Sequence, residues 1–249
     1  RFELEFDTGE KLAPDLLVGA DGAKSFVRRS AGIGVRSWLY PQKAFVTCLQ
    51  PQFSHRNTAW QRFMKEGPIG LLPLLDGRIS IVWSTTPEIA ETVLNLPDQE
   101  LANKLTEVTD GVLGKLTPAG PRATFPLKSQ HAADYVQDGM ALVGDAAHTV
   151  HPLAGQGVNL GFADAVTLAR VICQALGSDE NPGDLPTLRK YERARKGKNL
   201  AMLGFVHGLN SLFSRKSTPL ERLRGLGMYL FNRSGIIRKH AVQAALGIR

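Results

Sequence analysis

Cysteine is scarce in this chain of 249 residues: Cys48 and Cys173 are the whole supply. Two thiols so far apart, one in a strand-like run and one in a helical pattern, do not make a disulfide framework and suit a reducing compartment. No apolar run reaches the roughly 18 residues of a membrane-spanning helix. A G-x-S-x-G nucleophile elbow and a P-loop are both missing. Gly155-Gln156-Gly157 resembles the start of a G-x-G-x-x-G unit, but its third glycine, Gly161, falls one place late, and no complete βαβ unit follows. Internal repeats and low-complexity tracts are absent too. What remains is enough chain for one or two domains with sizeable cores.

The chemistry concentrates between Met140 and Gly161. A short apolar run, Met140–Val143, ends abruptly in Gly144-Asp145, a Gly/Pro-punctuated loop follows, and a helical pattern runs from about Gln156 to Leu176. A run that short between turn residues reads as a buried strand. An acid at the carboxyl end of such a strand, beside a helix start, is where open α/β sheets bind nucleotides. Asp145 can accept hydrogen bonds from ligand hydroxyls, and Gly155 and Gly157 let backbone approach a ligand closely. The same pattern also serves as a plain βα connection, with Asp145 only capping the turn. A second segment repeats the logic: Asp15-Leu-Leu-Val-Gly-Ala closes in Asp21-Gly22, and a short helical turn then carries Ser25 and Arg28. Two strand ends of this kind can face one ligand from two sides.

Asp21-Gly22 and the run Gly144-Asp145-Ala146-Ala147-His148 to Asn159 resemble the two downstream FAD motifs of single-component flavin-dependent aromatic hydroxylases. The ubiquinone-biosynthesis branch, the polyprenylphenol hydroxylases, is the nearest likeness, through His148 to Gly161 and through Tyr191, Arg195 and Asn199. The resemblance implies an α/β fold: a partial FAD-binding Rossmann-like domain, an inserted β-sheet substrate domain and a C-terminal helical segment. It implies that Asp145 holds the ribityl chain and that Pro152, Gly155, Gln156, Gly157, Val158 and Asn159 lie against the pyrimidine end of the flavin. Asp21, Gly22 and Arg28 would serve the pyrophosphate region, with Gly144, Ala146 and His148 completing the FAD site. The implied reaction uses NAD(P)H to reduce FAD and O₂ to hydroxylate the ring of a lipophilic, polyprenylated phenol. No essential protein nucleophile and no metal is expected, and no acid–base residue is assigned; His148 and His151 have no Cys or carboxylate close in sequence to complete a metal site. Family members begin with a G-x-G-x-x-G unit. This chain opens at Arg1 inside a hairpin pattern, Phe2–Phe6 with a turn at Asp7–Gly9. It is therefore expected to be the C-terminal portion of a longer protein and inactive alone.

Between the motifs the texture changes. Residues 44–49, 59–63, 70–75, 78–84 and 122–127 read as strands, with Asp76-Gly77 as a two-residue hairpin turn, and residues 88–95 and 97–108 read as helices. The expected organisation is residues 1–35 in the FAD-binding domain, 36–130 as the substrate sheet, 131–183 returning to the FAD-binding domain and 184–249 as C-terminal helices. The resemblance makes Trp60, Phe63, Leu72, Pro73, Phe125 and Pro126 candidate substrate contacts, although such residues are more often plain core.

Charge is uneven. Arg189–Arg249 hold 14 Lys and Arg against only Glu192 and Glu221, a net +12, which leaves −5 for residues 1–188. These bases sit among apolar stripes: Met202, Phe205, Val206, Leu209, Leu212 and Phe213, then Leu220, Leu223, Leu226 and Leu230 behind a Thr218-Pro219-Leu220-Glu221 helix start. A basic amphipathic pair fits a membrane surface or a partner in a biosynthetic complex. It equally fits surface helices packed on the body. Nucleic acid is not expected, because no binding module accompanies the charge; a homo-oligomer stays open. The expected place is cytoplasmic, peripheral on the inner face of the membrane. Two alternatives remain: a hydroxylase of small soluble phenols, and a non-catalytic scaffold that keeps the fold.

Overall fold

A computed structural model describes residues 2–152, 155 and 157–214, together with 227, 229–231, 233–235 and 238–239. Two compact units divide the chain: Arg1–Trp38 with Lys128–Leu209 (and Glu221–Arg249), and Leu39–Leu127 with Asn210–Leu220. The first opens with a hairpin of β1 (Leu4–Glu5) and β2 (Lys11–Leu12), closed where Gly9, at φ +81°, donates its N–H to Phe6. Next come β3 (Leu17–Gly19) and a single helical turn, α1 (Phe26–Ser30), whose N-cap Ser25 accepts from the Arg28 amide at 2.9 Å.

The second unit is an antiparallel sheet. Its strands β4 (Val35–Pro51), β5 (Trp60–Arg62), β6 (Ile69–Pro73) and β7 (Ile79–Thr85) lie in the order β4-β7-β6-β5. Two helices follow, α2 (Pro87–Asn95) and α3 (Asp98–Val108), and then β8 (Leu116–Pro118), which pairs with the end of β4. Strand alternation explains why one face is core: Phe45 pairs with Trp83, Leu49 with Ile79, and Leu71 with Ile81, all of them buried. Partners directly opposite one another share a face. Val93, Leu101 and Leu105 from α2 and α3 complete that core. Thr86 caps α2 and Pro87 occupies its first turn, which is why the helix starts there.

The β6–β7 turn differs from the expected two-residue form. Leu74 donates its N–H to Arg78 and Gly77 donates to Leu74, with Gly77 at φ +86°. This is a three-residue loop, Leu75-Asp76-Gly77, with glycine at the left-handed position. Asp76 favours it by accepting from the Arg78 amide at 3.1 Å and pairing with the Arg78 guanidinium.

β9 (Ala123–Ala132) leads back into the first unit, where β10 (Val136–Gln137), β11 (Met140–Leu142) and the short β12 (His148–Thr149) follow. β11 lies parallel to β3, pairing Met140 with Leu17 and Leu142 with Gly19, and β12 pairs with β9, His148 opposite His131. The last elements are α4 (Gly157–Leu176) and a single continuous α5 (Leu185–Ser214). Tyr135, Met140, Ala141, Leu142, Leu168, Leu188 and Tyr191 form the core of this unit.

The line that α5 buries is not the expected apolar stripe. Leu188, Glu192, Arg195, Asn199, Leu203, Val206 and Asn210 are buried at helical spacing, whereas Phe205 is 58 % exposed and Leu212 is exposed. Polar residues occupy the first half of that line, so apolar periodicity alone misplaces its register. Thr218 to Leu226, and the side chain of Phe213, lie outside the described residues; Leu230 is exposed. Among the described residues, no helix is long and apolar enough to cross a membrane.

Gly67 tests the sheet unit. It has φ +111°, and a Cβ built on it would lie 1.8 Å from the Ser84 carbonyl oxygen. Gly67→Ala is expected to destabilise this unit by at least about 2 kcal/mol, measurable by urea denaturation; an unchanged midpoint would contradict the packing described.

Candidate functional site

β3 and β11 run side by side, so the two acidic strand ends fall at the same edge of the sheet. Each ends in a positive-φ glycine neighbouring the acid: Gly22 at +80° after Asp21, and Gly144 at +58° before Asp145. Two buried side chains tie the ends together. Arg28 donates to the Ala146 carbonyl at 2.5 Å and to the Ala23 carbonyl at 3.0 Å. Gln130 donates to Ala23 at 2.7 Å and reaches the Asp145 carbonyl at 3.4 Å. One guanidinium and one amide therefore hold both loops at a fixed spacing.

The two acids are used differently. Asp21 accepts from the Phe26 and Val27 amides at 2.6 and 3.1 Å, capping α1. Desolvation would raise its pKa, but hydrogen bonds from Ser25 and these amides outweigh it and hold the carboxyl below the usual range. Asp145 has no side-chain hydrogen bond among the described residues. Its side chain is exposed, yet the surrounding protein desolvates it enough to lift its pKa, against the weaker pull of His148 and Lys128. A carboxylate that is partly desolvated and unpartnered is an acceptor waiting for donors.

Behind the loop lies a buried polar cluster centred on Asp164 of α4, which is fully buried. Its Oδ2 accepts from the Gly144 amide at 3.1 Å and lies 2.5 Å from His148 Nε2; its Oδ1 accepts from Arg195 Nε at 2.7 Å and Asn199 Nδ2 at 3.0 Å. Burial alone would raise its pKa, but His148, Asn199 and Arg195 together keep it lowered and the group ionised. An ionised partner places the His148 proton on Nε2. Arg195 also donates to Asn199 at 2.8 Å, and Tyr191 donates to the Leu142 carbonyl at 2.7 Å. Burial alone drives the His151 pKa down to about 4, so that ring is neutral.

The predicted site residues therefore separate into two layers. Asp145, Gly155, Gly157, Val158 and Asn159 lie at the surface of the loop and at the start of α4, with open space beside both glycines. Pro152 is exposed, and its carbonyl accepts from Gly155. Arg28, Ala146 and His148 are buried behind that surface and act on its shape. Gln156 lies outside the described residues. Gly144 packs against Gly161, where an added Cβ would come within 3.7 Å of the neighbouring Cα; this brings the strand end tight against α4. Sequence reasoning missed Gln130, Tyr135 and Asp164. The signal for Asp164 was there: a carboxylate on the apolar line of Leu168, Val171 and Ala175.

The expected substrate contacts do not form one set. Trp60 pairs with Leu71 and so shares the core face of the sheet, as does Pro73 opposite Ile79, whereas Leu72 points to the other face with Ser80. Trp60, Leu72, Phe125 and Pro126 are exposed, and Phe63 and Pro73 half-buried.

An FAD binding domain family model matches residues 3–202. The chain belongs to that family. It is 39 % identical over 246 residues to the 3-demethoxyubiquinol 3-hydroxylase of Escherichia coli, covering 99 % of this chain and 63 % of the relative. It is 37 % identical to the mitochondrial ubiquinone biosynthesis monooxygenase COQ6 of Drosophila melanogaster, covering 98 % of this chain and 58 % of the relative. Thus the chain spans about three-fifths of the length of these relatives. Among solved structures, pqsL, a probable FAD-dependent monooxygenase from Pseudomonas aeruginosa, superposes with a TM-score of 0.74 at 25 % identity, covering 90 % of this chain and 62 % of that one. The p-nitrophenol 4-monooxygenase PnpA of Pseudomonas putida shares the fold, with a TM-score of 0.71 over 98 % of this chain and 61 % of that one, at 20 % identity.

The site fits the cofactor of this family: an unpartnered acceptor at Asp145, two glycines with room beside them and the start of a 20-residue helix. Removing the buried charge beneath it should be costly. Asp164→Ala strands Arg195 without a counter-charge and is expected to cost about 3–5 kcal/mol in chemical denaturation, while Asp164→Asn with Arg195→Gln recovers much of that loss. Because the folded pKa of Asp164 is lowered, its contribution is complete above about pH 4 and is lost as pH falls through the folded value. The double variant should therefore lose stability less steeply on acidification.

Proposed function

We propose that the chain forms most of an FAD-dependent monooxygenase that hydroxylates the ring of a polyprenylated phenol in ubiquinone biosynthesis, with NAD(P)H as reductant. The observation that carries this reading is the unpartnered Asp145 carboxylate at the shared carboxyl edge of β3 and β11, beside Gly155, Gly157 and the start of α4. The names of the relatives at 36–39 % identity supply the substrate class.

FAD supplies the redox chemistry when bound. Asp145 accepts from ribityl hydroxyls in place of the water that reaches its exposed carboxylate. Gly155 and Gly157 let the backbone approach the ring system, and the start of α4 offers positive dipole to the electron-rich pyrimidine end. Arg28 and Gln130 hold the two loops at the spacing that the cofactor needs. Loss of the Asp145 acceptor should weaken FAD binding by roughly one to two orders of magnitude. Asp145→Ala should leave the thermal stability of the flavin-free protein unchanged, since no described side-chain hydrogen bond is lost; the check is flavin retention after gel filtration beside a thermal melt of the flavin-free protein. Stoichiometric flavin in that variant would remove Asp145 from the site.

A polyprenylated substrate resides in a bilayer, and the basic C-terminal region, net +12 over Arg189–Arg249, suits an anionic surface. The protein is accordingly placed peripherally on the inner, cytoplasmic face. Sedimentation with phosphatidylglycerol vesicles should be strong at low salt and weak at high salt, and truncation after Ser217 should abolish it. Unchanged sedimentation after truncation would assign those residues to packing and favour a soluble phenol as substrate.

A further inference from the structure

Tyr135 and His131 are buried polar groups that the flavin reading leaves without a role. His131 on β9 and His148 on β12 stand opposite each other in the strand pairing, with the Tyr135 ring 5.4 Å from the first and 6.0 Å from the second. The hydrogen bonds through this group run in one direction. Arg195 can only donate, so the Asn199 atom that it meets at 2.8 Å is the carbonyl oxygen. The Asn199 amide nitrogen therefore donates, to Asp164 at 3.0 Å and to the Tyr135 oxygen at 3.3 Å. Burial pushes the Tyr135 pKa up, so the phenol keeps its proton and gives it to His131 Nε2, 3.1 Å away. His131 must accept there, which puts its own proton on Nδ1.

A second proton on His131 has no place in this arrangement. Its Nε2–H would meet a phenol oxygen that already accepts from Asn199, and the buried hydroxyl proton would lose its acceptor. Charge opposes it as well: Arg36 on β4, Lys196 on α5 and His148 on β12 all bear on the ring. The nearby acids are committed elsewhere. Asp164 takes His148, Arg195 and Asn199; Glu192 takes the Tyr135 amide and Lys196; Asp134 pairs with Lys196. Burial first, and these positive neighbours second, hold the His131 pKa below the ordinary imidazole value, and a hydrogen bond with the Ala132 backbone recovers only part of the shift.

What such a proton would undo is β12. That strand is two residues long, held by the pairs His148–His131 and Thr149–Gln130 and by the Ala132 amide donating to Ala147 at 2.7 Å. It feeds directly into Val150 and the loop that carries Gly155 to α4. We propose that His131 is an acid-operated latch on this loop: neutral, it completes the line from Asp164 that holds β12 to β9; protonated, it leaves that line and lets β12 and the loop open. Because the folded pKa of His131 is lowered, the latch is complete above about pH 6.5 and weakens as pH falls below it. Release of flavin on acidification is the consequence, and that consequence alone rests on the function proposed above.

The test uses the flavin-free chain, so that failure of the latch and failure of the flavin reading are told apart. A long-range nitrogen-15 spectrum of the six histidines, with His131→Gln to assign the signal, should show His131 unprotonated at Nε2 and titrating below about pH 6.5. Tyr135→Phe removes the donor to that nitrogen and should move the titration upward. Hydrogen exchange of the Ala132 amide reads the opening itself. On going from about pH 7.5 to 5.5, opening should grow several-fold more in the wild type than in His131→Gln, with about tenfold as the ceiling for one proton. A glutamine there still accepts from Tyr135 but cannot titrate, and His148 and His151 are common to both proteins. The tautomer and the exchange comparison decide the matter even where Tyr135→Phe does not fold. A proton on Nε2, titration at or above about pH 6.5, no upward move in folded Tyr135→Phe, or equal opening in wild type and His131→Gln would overturn the proposal.

Discussion

One buried carboxylate holds the flavin-binding unit in its working shape. Asp164 receives four donors from four places in the chain: the Gly144 amide at the strand end, His148 on β12, and Arg195 and Asn199 on α5. An ion taken out of water is costly unless paired and fully hydrogen-bonded, and here both oxygens are doubly engaged. The consequence is geometric more than energetic. The turn that presents Asp145 is fixed from beneath by its first amide, and α4 is fixed to the same point. Arg28 and Gln130 then fix the Asp21 loop to the Asp145 loop from the side. The surface offered to a ligand is therefore pre-formed, while the residues that form it stay out of reach.

Sequence reasoning reached much of this. Short apolar runs, one closing in Gly-Ala-Asp-Gly and one in Gly-Asp, marked β3 and β11, and the helical patterns at residues 88–95 and 97–108 marked α2 and α3. The turn at Asp76-Gly77 was recognised but assigned one residue too few, because the local preference of Asp-Gly does not distinguish a two-residue loop from a three-residue loop with glycine last. The register of α5 was not legible, since its buried line contains Glu192, Arg195 and Asn199 in place of apolar residues. The burial of Arg195 and Asn199 is intelligible only once Asp164 is known to face them, and that of Glu192 once it is known to accept from the Tyr135 amide, which is long-range information. Arg28 and His148 were selected as cofactor contacts and both are buried behind the loop surface; side-chain type alone does not separate a residue that touches a ligand from one that braces the loop behind it. The proposed substrate contacts illustrate the same limit. Aromatic and proline residues were selected by type, and strand pairing then put Trp60 and Leu72 on opposite faces of the sheet.

The division of labour has a chemical logic. The first unit carries charge where it can be neutralised internally and leaves one acceptor, Asp145, unneutralised at the sheet edge. The second unit builds its core from Phe45, Trp83, Ile79 and Ile81, without buried ion pairs among the described residues. A rigid polar frame suits a cofactor that must be held in one orientation, whereas an apolar sheet can vary its exposed face without disturbing its core.

The central claim, that this frame holds a redox-active flavin, is tested most directly by the visible absorption spectrum of the protein purified at the full length of its relatives, recorded anaerobically before and after addition of NADH or NADPH. The account predicts flavin bands that bleach on reduction. A protein that remains colourless after FAD is supplied, or flavin bands that neither nucleotide bleaches, would contradict it.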